Sequence, residues 1–185
     1  LYDTSAVEKL GIQILLAIAT WSMGVRIEGF GSLHGYVTLD DIGSLLATTL
    51  WIVAVVNAMN LIDGLDGLAA GIGLIAVCTL FSFGWVDGHV LLCLSTAAMA
   101  GALVGFLVHN SAPAHIFLGD SGSHLLGYVL AVVGVLSTTK QYTAWALTLP
   151  ALALGVPLLD AILAVVRRVS TGQPTMAPDL GHVHH

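Results

Sequence analysis

Charge is what this sequence has least of. Asp, Glu, Lys and Arg make up 9% of its 185 residues, against 57% hydrophobic ones, where a soluble domain carries about a quarter charged residues. With five Lys and Arg in all, there is no basic surface to hold nucleic acid, and that class of partner is excluded. The net charge of -6 does not come from an acidic tail; the acids sit at the ends of apolar runs. Cysteine is almost absent. Cys78 and Cys93 lie in apolar runs without metal or redox spacing and read as buried packing residues. A basic, signal-like start is missing too, because Leu1 to Lys9 are polar and mildly acidic. With no initiator Met and no closing element after His185, the chain reads as one membrane domain, a piece of a longer protein.

What is there is hydrocarbon. Six apolar runs approach the roughly 20 residues that a helix needs to cross a bilayer core: Leu10–Val25, Ile42–Ile62, Gly67–Val86, Val90–Val108, Ser121–Thr139 and Gln141–Val166. The first is short, and the last holds Pro150, Pro157 and Asp160, which predict a kink or break. The expected fold is an all-α, polytopic membrane helix bundle of about six transmembrane helices. The glycine-bearing segment near 26–41 is read as a short hairpin on the outer side.

Counting crossings then sorts the polar clusters. If each run spans once, residues 1–9, Asn60–Asp66, His109–Asp120 and everything after Arg167 fall on one side. Lys9, Arg167 and Arg168 share that side, against Arg26 and Lys140 on the other. The Arg pair directly follows a span, so the shared side is expected to be cytoplasmic.

Asn57-Ala-Met-Asn-Leu-Ile-Asp-Gly-Leu-Asp-Gly-Leu68 is the densest of these clusters. Asn57 and Asn60 are three apart, as are Asp63 and Asp66, so in a helical turn each pair would share a face. A polar loop with Asp66 as helix cap would explain part of it. An oxygen-rich site for Mg2+ and the phosphates it bridges explains all of it. The second cluster, Phe117-Leu-Gly-Asp-Ser-Gly-Ser-His124, opens the fifth run. Asp120 or Ser121 could be no more than a cap. Yet Gly119-Asp-Ser-Gly122 also makes a turn with a carboxylate at its apex and helix amides ready for an anion. His109, His115 and His124 read as local hydrogen-bonders or interfacial residues rather than ligands. The third cluster, His182-Val-His-His185, lacks the partners of a zinc site; its imidazoles suit phosphate oxygens. Arg167 and Arg168 fit an interfacial anchor and an anionic-substrate contact equally well.

In this order, the clusters resemble the polyprenyl-phosphate N-acetylhexosamine-1-phosphate transferases. The match runs through the Asn57–Leu68 stretch, Phe-Leu-Gly-Asp-Ser-Gly-Ser, Pro-Leu-Leu-Asp with Arg-Arg, and His-Val-His-His. The closing His-x-His-His pattern looks more like the branch that uses UDP-GlcNAc. The resemblance implies transfer of a sugar-1-phosphate from a UDP-N-acetylhexosamine to polyprenyl (undecaprenyl) phosphate, with UMP released. This is a first membrane step of cell-envelope glycan assembly. It implies Mg2+, with Mn2+ as substitute, surrounding membrane lipid, and room for a homodimer.

By position, Asp120 matches the metal-binding aspartate and Asn60 an asparagine at the metal or pyrophosphate. Asp66 falls where uridine is contacted, with Asp63 in the same loop, and His182, His184 and His185 match the histidines near the pyrophosphate. Asn57, Gly119, Ser121, Arg167 and Arg168 complete the expected substrate contacts. Two departures stand out: the family's aspartate pair would lie upstream of Leu1, and Leu180 follows Asp179 where a basic residue is common. Two rival readings remain, a membrane transporter using intramembrane Asp and His, and an inactive portion of the transferase.

Overall fold

Helix α1 (Ala6–Ser22) begins among polar residues because Ser5 and Glu8 form a reciprocal cap. The Ser5 N–H donates to Glu8 Oε2 at 2.8 Å and the Glu8 N–H to Ser5 Oγ at 3.3 Å. The helix therefore starts four residues before the apolar run that signalled it, and Lys9 lies inside its first turns. The computed structural model describes residues 5–32 and 35–137. Most of the fifth run falls within that range. The sixth run, Asp160, Arg167, Arg168, His182, His184 and His185 lie outside the described residues.

After α1 the chain makes the expected hairpin. Strands β1 (Gly29–Ser32) and β2 (Gly35–Thr38) pair antiparallel, with Gly29 opposite Thr38 and Ser32 opposite Gly35. Four long helices follow: α2 (Asp41–Ile62), α3 (Leu68–Asp87), α4 (Val90–Asn110) and α5 (Gly119–Leu136). All four are long and apolar enough to cross a membrane, whereas α1, at 17 residues, is shorter. The result is the all-helical polytopic bundle that the apolar runs predict.

Packing is pairwise. Helix α2 lies between α1 and α5, and α3 pairs with α4. The α2–α5 contact is close because Gly127 has no side chain: a Cβ there would lie 2.7 Å from Val56 Cα. Trp51 Nε1 reinforces it by donating to the Ala131 carbonyl at 3.1 Å. Ile52, Val56, Met59 and Val77 fill the core with Leu126 and Leu130 of α5. Buried hydroxyls return to their own helices. Thr48 Oγ1 donates to Ser44 O at 2.7 Å, and Thr96 Oγ1 to Leu92 O at 2.6 Å. That satisfies them where lipid offers no partner.

Burial runs inside out relative to a soluble bundle. The covered face of α1 is Gln13, Ala17 and Thr20, while Ile12, Leu15 and Ile18 point outward. Leu50, Val86, Leu91 and Val108 are likewise exposed and form an apolar outer surface suited to lipid. This corrects the expectation for cysteine: Cys78 is exposed and Cys93 only partly covered. In a membrane protein the outside is hydrocarbon too, so an apolar run does not imply burial against protein.

Candidate active site

The end of α2, the start of α3, the end of α4 and the start of α5 meet, with the two segments that join them, at the end of the bundle away from the hairpin. Helix α2 ends at Asp63, and a non-helical turn carries the chain through Gly64–Gly67 into α3. Asp63 and Asp66 therefore do not share a helical face as their spacing suggested, because two Asp-Gly units unwind the backbone between them. The two carboxylates go to different partners.

Asp66 Oδ2 accepts from the Ala114 N–H at 2.9 Å, across to the loop that precedes α5. It does not cap α3, whose N-cap is Gly67 without a side-chain bond. Asn110, the last residue of α4, is buried between the same two segments. Its Oδ1 accepts from Gly67 N at 3.0 Å and its Nδ2 donates to Ile116 O at 2.8 Å. Together they clamp the 63–67 turn to the 111–118 loop.

That clamp carries Gly119 and Asp120 to Asp63. Gly119 opens α5 with φ of 61°, a left-handed conformation that a side chain would strain. Its N–H donates to the Asp63 carboxylate. Burial pushes the Asp63 carboxyl above its ordinary value, the Gly119 N–H pulls it down, and the nearby Asp120 charge raises it further. Neither Asp120 nor Ser121 caps α5; Leu118 stands at the N-cap, and Asp120 lies in the first turn.

The Asp120 carboxylate pairs with the Lys9 ammonium, joining chain positions 111 residues apart. One turn further into α5, fully buried Ser123 donates to Asn60 Oδ1 at 2.8 Å. His124 Nδ1–H donates to the Asp120 carbonyl at 2.5 Å, as expected of a local hydrogen-bonder. On the neighbouring face, exposed Asn57 gives its Nδ2 to Gln13 Oε1 at 2.6 Å and to Val53 O at 2.7 Å.

A cavity of about 260 Å³ opens beside this cluster, between α1, α2 and α5. Lys9, Asp120, Ser121 and His124 line it with polar groups, and Leu16, Ile52 and Tyr128 are among its apolar lining. It pairs charged groups with apolar wall, as an amphiphile requires.

Of the expected residues within the described range, Asn60, Asp63, Gly119, Ser121 and Asp120 gather at one place. Asn57 lies one turn behind Asn60 along α2, and Asp66 belongs to the loop clamp. Lys9, Gln13 and Asn110 went unrecognised as site residues. In the sequence Lys9 bears only on sidedness, and Asn110 is one residue of the polar stretch between two apolar runs. A lone polar side chain such as Gln13 inside an apolar run was the available signal.

The donors suit a hard divalent cation. The Asp120 charge is close enough to act on the Asp63 carboxyl, the Asn60 carboxamide lies near, and an ammonium already offsets the charge. An all-oxygen set with neighbouring phosphates is what Mg2+ takes. Among the described residues, no three His, Cys, Asp or Glu side chains group as a metal cage. Mg2+ commonly completes its shell with waters and substrate phosphates, so the fit holds without one.

Fold and site together define a polytopic membrane helix bundle with a polar cluster at one end of its helices. The chain belongs to glycosyl transferase family 4, whose sequence profile its residues 1–138 match. It is 39% identical, over its whole length and 52% of the relative's, to a probable undecaprenyl-phosphate N-acetylglucosaminyl 1-phosphate transferase of Bacillus subtilis. It is 40% identical to the decaprenyl-phosphate N-acetylglucosaminephosphotransferase of Mycobacterium tuberculosis, again along the whole chain and 51% of the relative. A phospho-N-acetylmuramoyl-pentapeptide-transferase of Rubrobacter xylanophilus is 47% identical over 90 residues, covering 49% of the chain and 27% of that protein. The chain thus spans about half the length of the whole-length relatives it matches.

Proposed function

We propose that the protein containing this chain transfers N-acetylglucosamine-1-phosphate from UDP-GlcNAc to a polyprenyl phosphate at the cytoplasmic face of the membrane. The observation that carries this reading is the convergence of Lys9, Asn60, Asp63 and Asp120 beside a cavity with an apolar wall. Two polyanions have to meet, so the site must offset their repulsion. Asp63 and Asp120, with Asn60, are the residues that would hold Mg2+, which lowers the negative charge of the nucleotide pyrophosphate when bound. Lys9 neutralises the acceptor phosphate at the cavity, and the apolar wall takes its first hydrocarbon units. An oxygen of that phosphate attacks the sugar-linked phosphorus. The bond from this phosphorus to the bridging oxygen breaks, UMP leaves with that oxygen, and a lipid-linked pyrophosphate sugar remains.

A transport pathway would need ionisable groups along the helices. In α2 to α5 the Asp and His side chains stand at or near helix ends, at Asp41, Asp87, His109, Asp120 and His124, which supports the transferase. The test uses the full-length protein in nanodiscs, measuring UMP release from UDP-GlcNAc with and without polyprenyl phosphate and Mg2+. Release that requires both is expected. UMP appearing at the same rate without the lipid, or none appearing, overturns the reading.

A further inference from the structure

The fold leaves one polar group unfinished. Gln13 is 5% exposed. Among the described residues its Nε2 is the buried side-chain atom that has no hydrogen-bond partner. The neighbouring bonds fix this assignment. The Val53 carbonyl can only accept, so Asn57 must present Nδ2 to it, and that same Nδ2 then meets Gln13 Oε1. Turning the Gln13 amide over would set donor against donor. Both N–H groups of Gln13 thus lack an acceptor, a state that is unfavourable when nothing arrives to relieve it.

Gln13 also lines the cavity between α1, α2 and α5. Lys9 stands four residues earlier on the same helix, so the two side chains lie on one face about 5–6 Å apart at their roots. A phosphate held by the ammonium reaches that far with its oxygens. We propose that Gln13 is a binding residue for the isoprenoid-phosphate acceptor. It donates from Nε2 to a phosphate oxygen one turn behind Lys9, while the apolar wall beside it takes the adjoining hydrocarbon. This rests on the transferase reading. Asn57 is then a positioning residue: it holds the amide by its oxygen and turns the nitrogen toward the ligand.

The test is direct binding, by titration calorimetry on the full-length protein in nanodiscs, of a short-chain polyprenyl phosphate and of the matching polyprenol. Gln13→Met keeps the volume and removes both donors. Its affinity for the phosphate is expected to fall about tenfold to a hundredfold, the range for one hydrogen bond to a charged group. Its affinity for the alcohol and its KM for UDP-GlcNAc stay within twofold. Its thermal midpoint holds or rises, because an orphaned donor has been exchanged for an apolar group. Gln13→Glu still accepts from Asn57 but sets a negative charge at the phosphate, and loses at least as much.

Unchanged phosphate affinity in both variants overturns the proposal. So does an equal loss for phosphate and alcohol, or a lowered midpoint with every ligand weakened alike, since each marks a structural role. Failure of the transferase reading shows separately, as wild-type protein that releases no UMP, and the comparison of phosphate with alcohol still decides Gln13.

Discussion

The two ends of this bundle are both polar, and they are knit in opposite ways. At the hairpin end Arg26 reaches Glu28 at 3.5 Å and Asp41 at 3.6 Å, and stacks 5.7 Å from the Trp21 ring centre. All of these partners come from nearby chain. At the other end Lys9 meets Asp120, Asn60 meets Ser123, Asp66 meets Ala114 and Gly67 meets Asn110, across separations of 43 to 111 residues. Neighbours in sequence pair wherever a chain turns. Bringing distant polar groups together at a membrane surface costs desolvation that a turn alone does not require. The end built from distant parts is therefore the one to read as a site.

Substitutions at the two ends break or sharpen that contrast. Asp120→Asn is expected to have the largest effect, lowering UMP release by about a thousandfold or more, as removal of a metal-binding or charge-stabilising group does. Its thermal midpoint should barely move, because the Asp120 carboxylate of the Lys9 pair is exposed. If the variant turned over normally, the site end would be no more special than the hairpin end.

Asn110→Ala comes next. It strands the Gly67 N–H and the Ile116 carbonyl, and a loss of about 2–4 kcal/mol of stability is expected from two unsatisfied groups. Activity should fall with it, as the 63–67 turn and the Asp120 loop separate. Chemical denaturation in detergent and UMP release from the same preparation measure both.

Asp63→Asn gives a smaller effect with a definite sign. The folded protein holds the Asp63 proton above the ordinary value of 3.8, chiefly through burial. Stability from this group is then fully present below pH 3.8 and falls as pH rises through the raised value. Without divalent cation, the asparagine variant should be the more stable one at neutral pH, with the advantage vanishing in acid. Melting curves at a series of pH values decide it; a gap that stays constant across the series would place the cause elsewhere. Smallest of all, Arg26→Gln removes exposed pairs at the hairpin end and should change stability by less than about 1 kcal/mol, with UMP release within twofold of wild type.

Much of this was legible in the residues. Helices α2 to α5 begin and end within a few residues of their apolar runs, since Asp, Gly and Pro interrupt hydrocarbon sharply. The gathering of Asn60, Asp63 and Asp120 at one end followed from counting crossings. The start of α1 did not, because a capping box extends a helix into polar sequence that hydropathy discards. Nor did the separate paths of Asp63 and Asp66, since spacing rules assume a helical turn that the glycines undo. The site roles of Lys9 and Gln13 do not show in the sequence because their partners lie on other helices, and periodicity along one segment carries no information about which helix lies beside it.

Helix α1 has one more consequence. At 17 residues it is about 25 Å long, short of the roughly 30 Å hydrocarbon thickness that its neighbours are long enough to cross. It nonetheless runs from the Lys9 end to the hairpin, where Trp21 donates to Ser44 near the start of α2. A bilayer answers such a mismatch by thinning, by snorkelling of flanking polar side chains or by helix association. Lys9, in the first turns of α1, carries the long apolar stem that snorkelling needs, so the shortness of the helix and the place of its lysine go together.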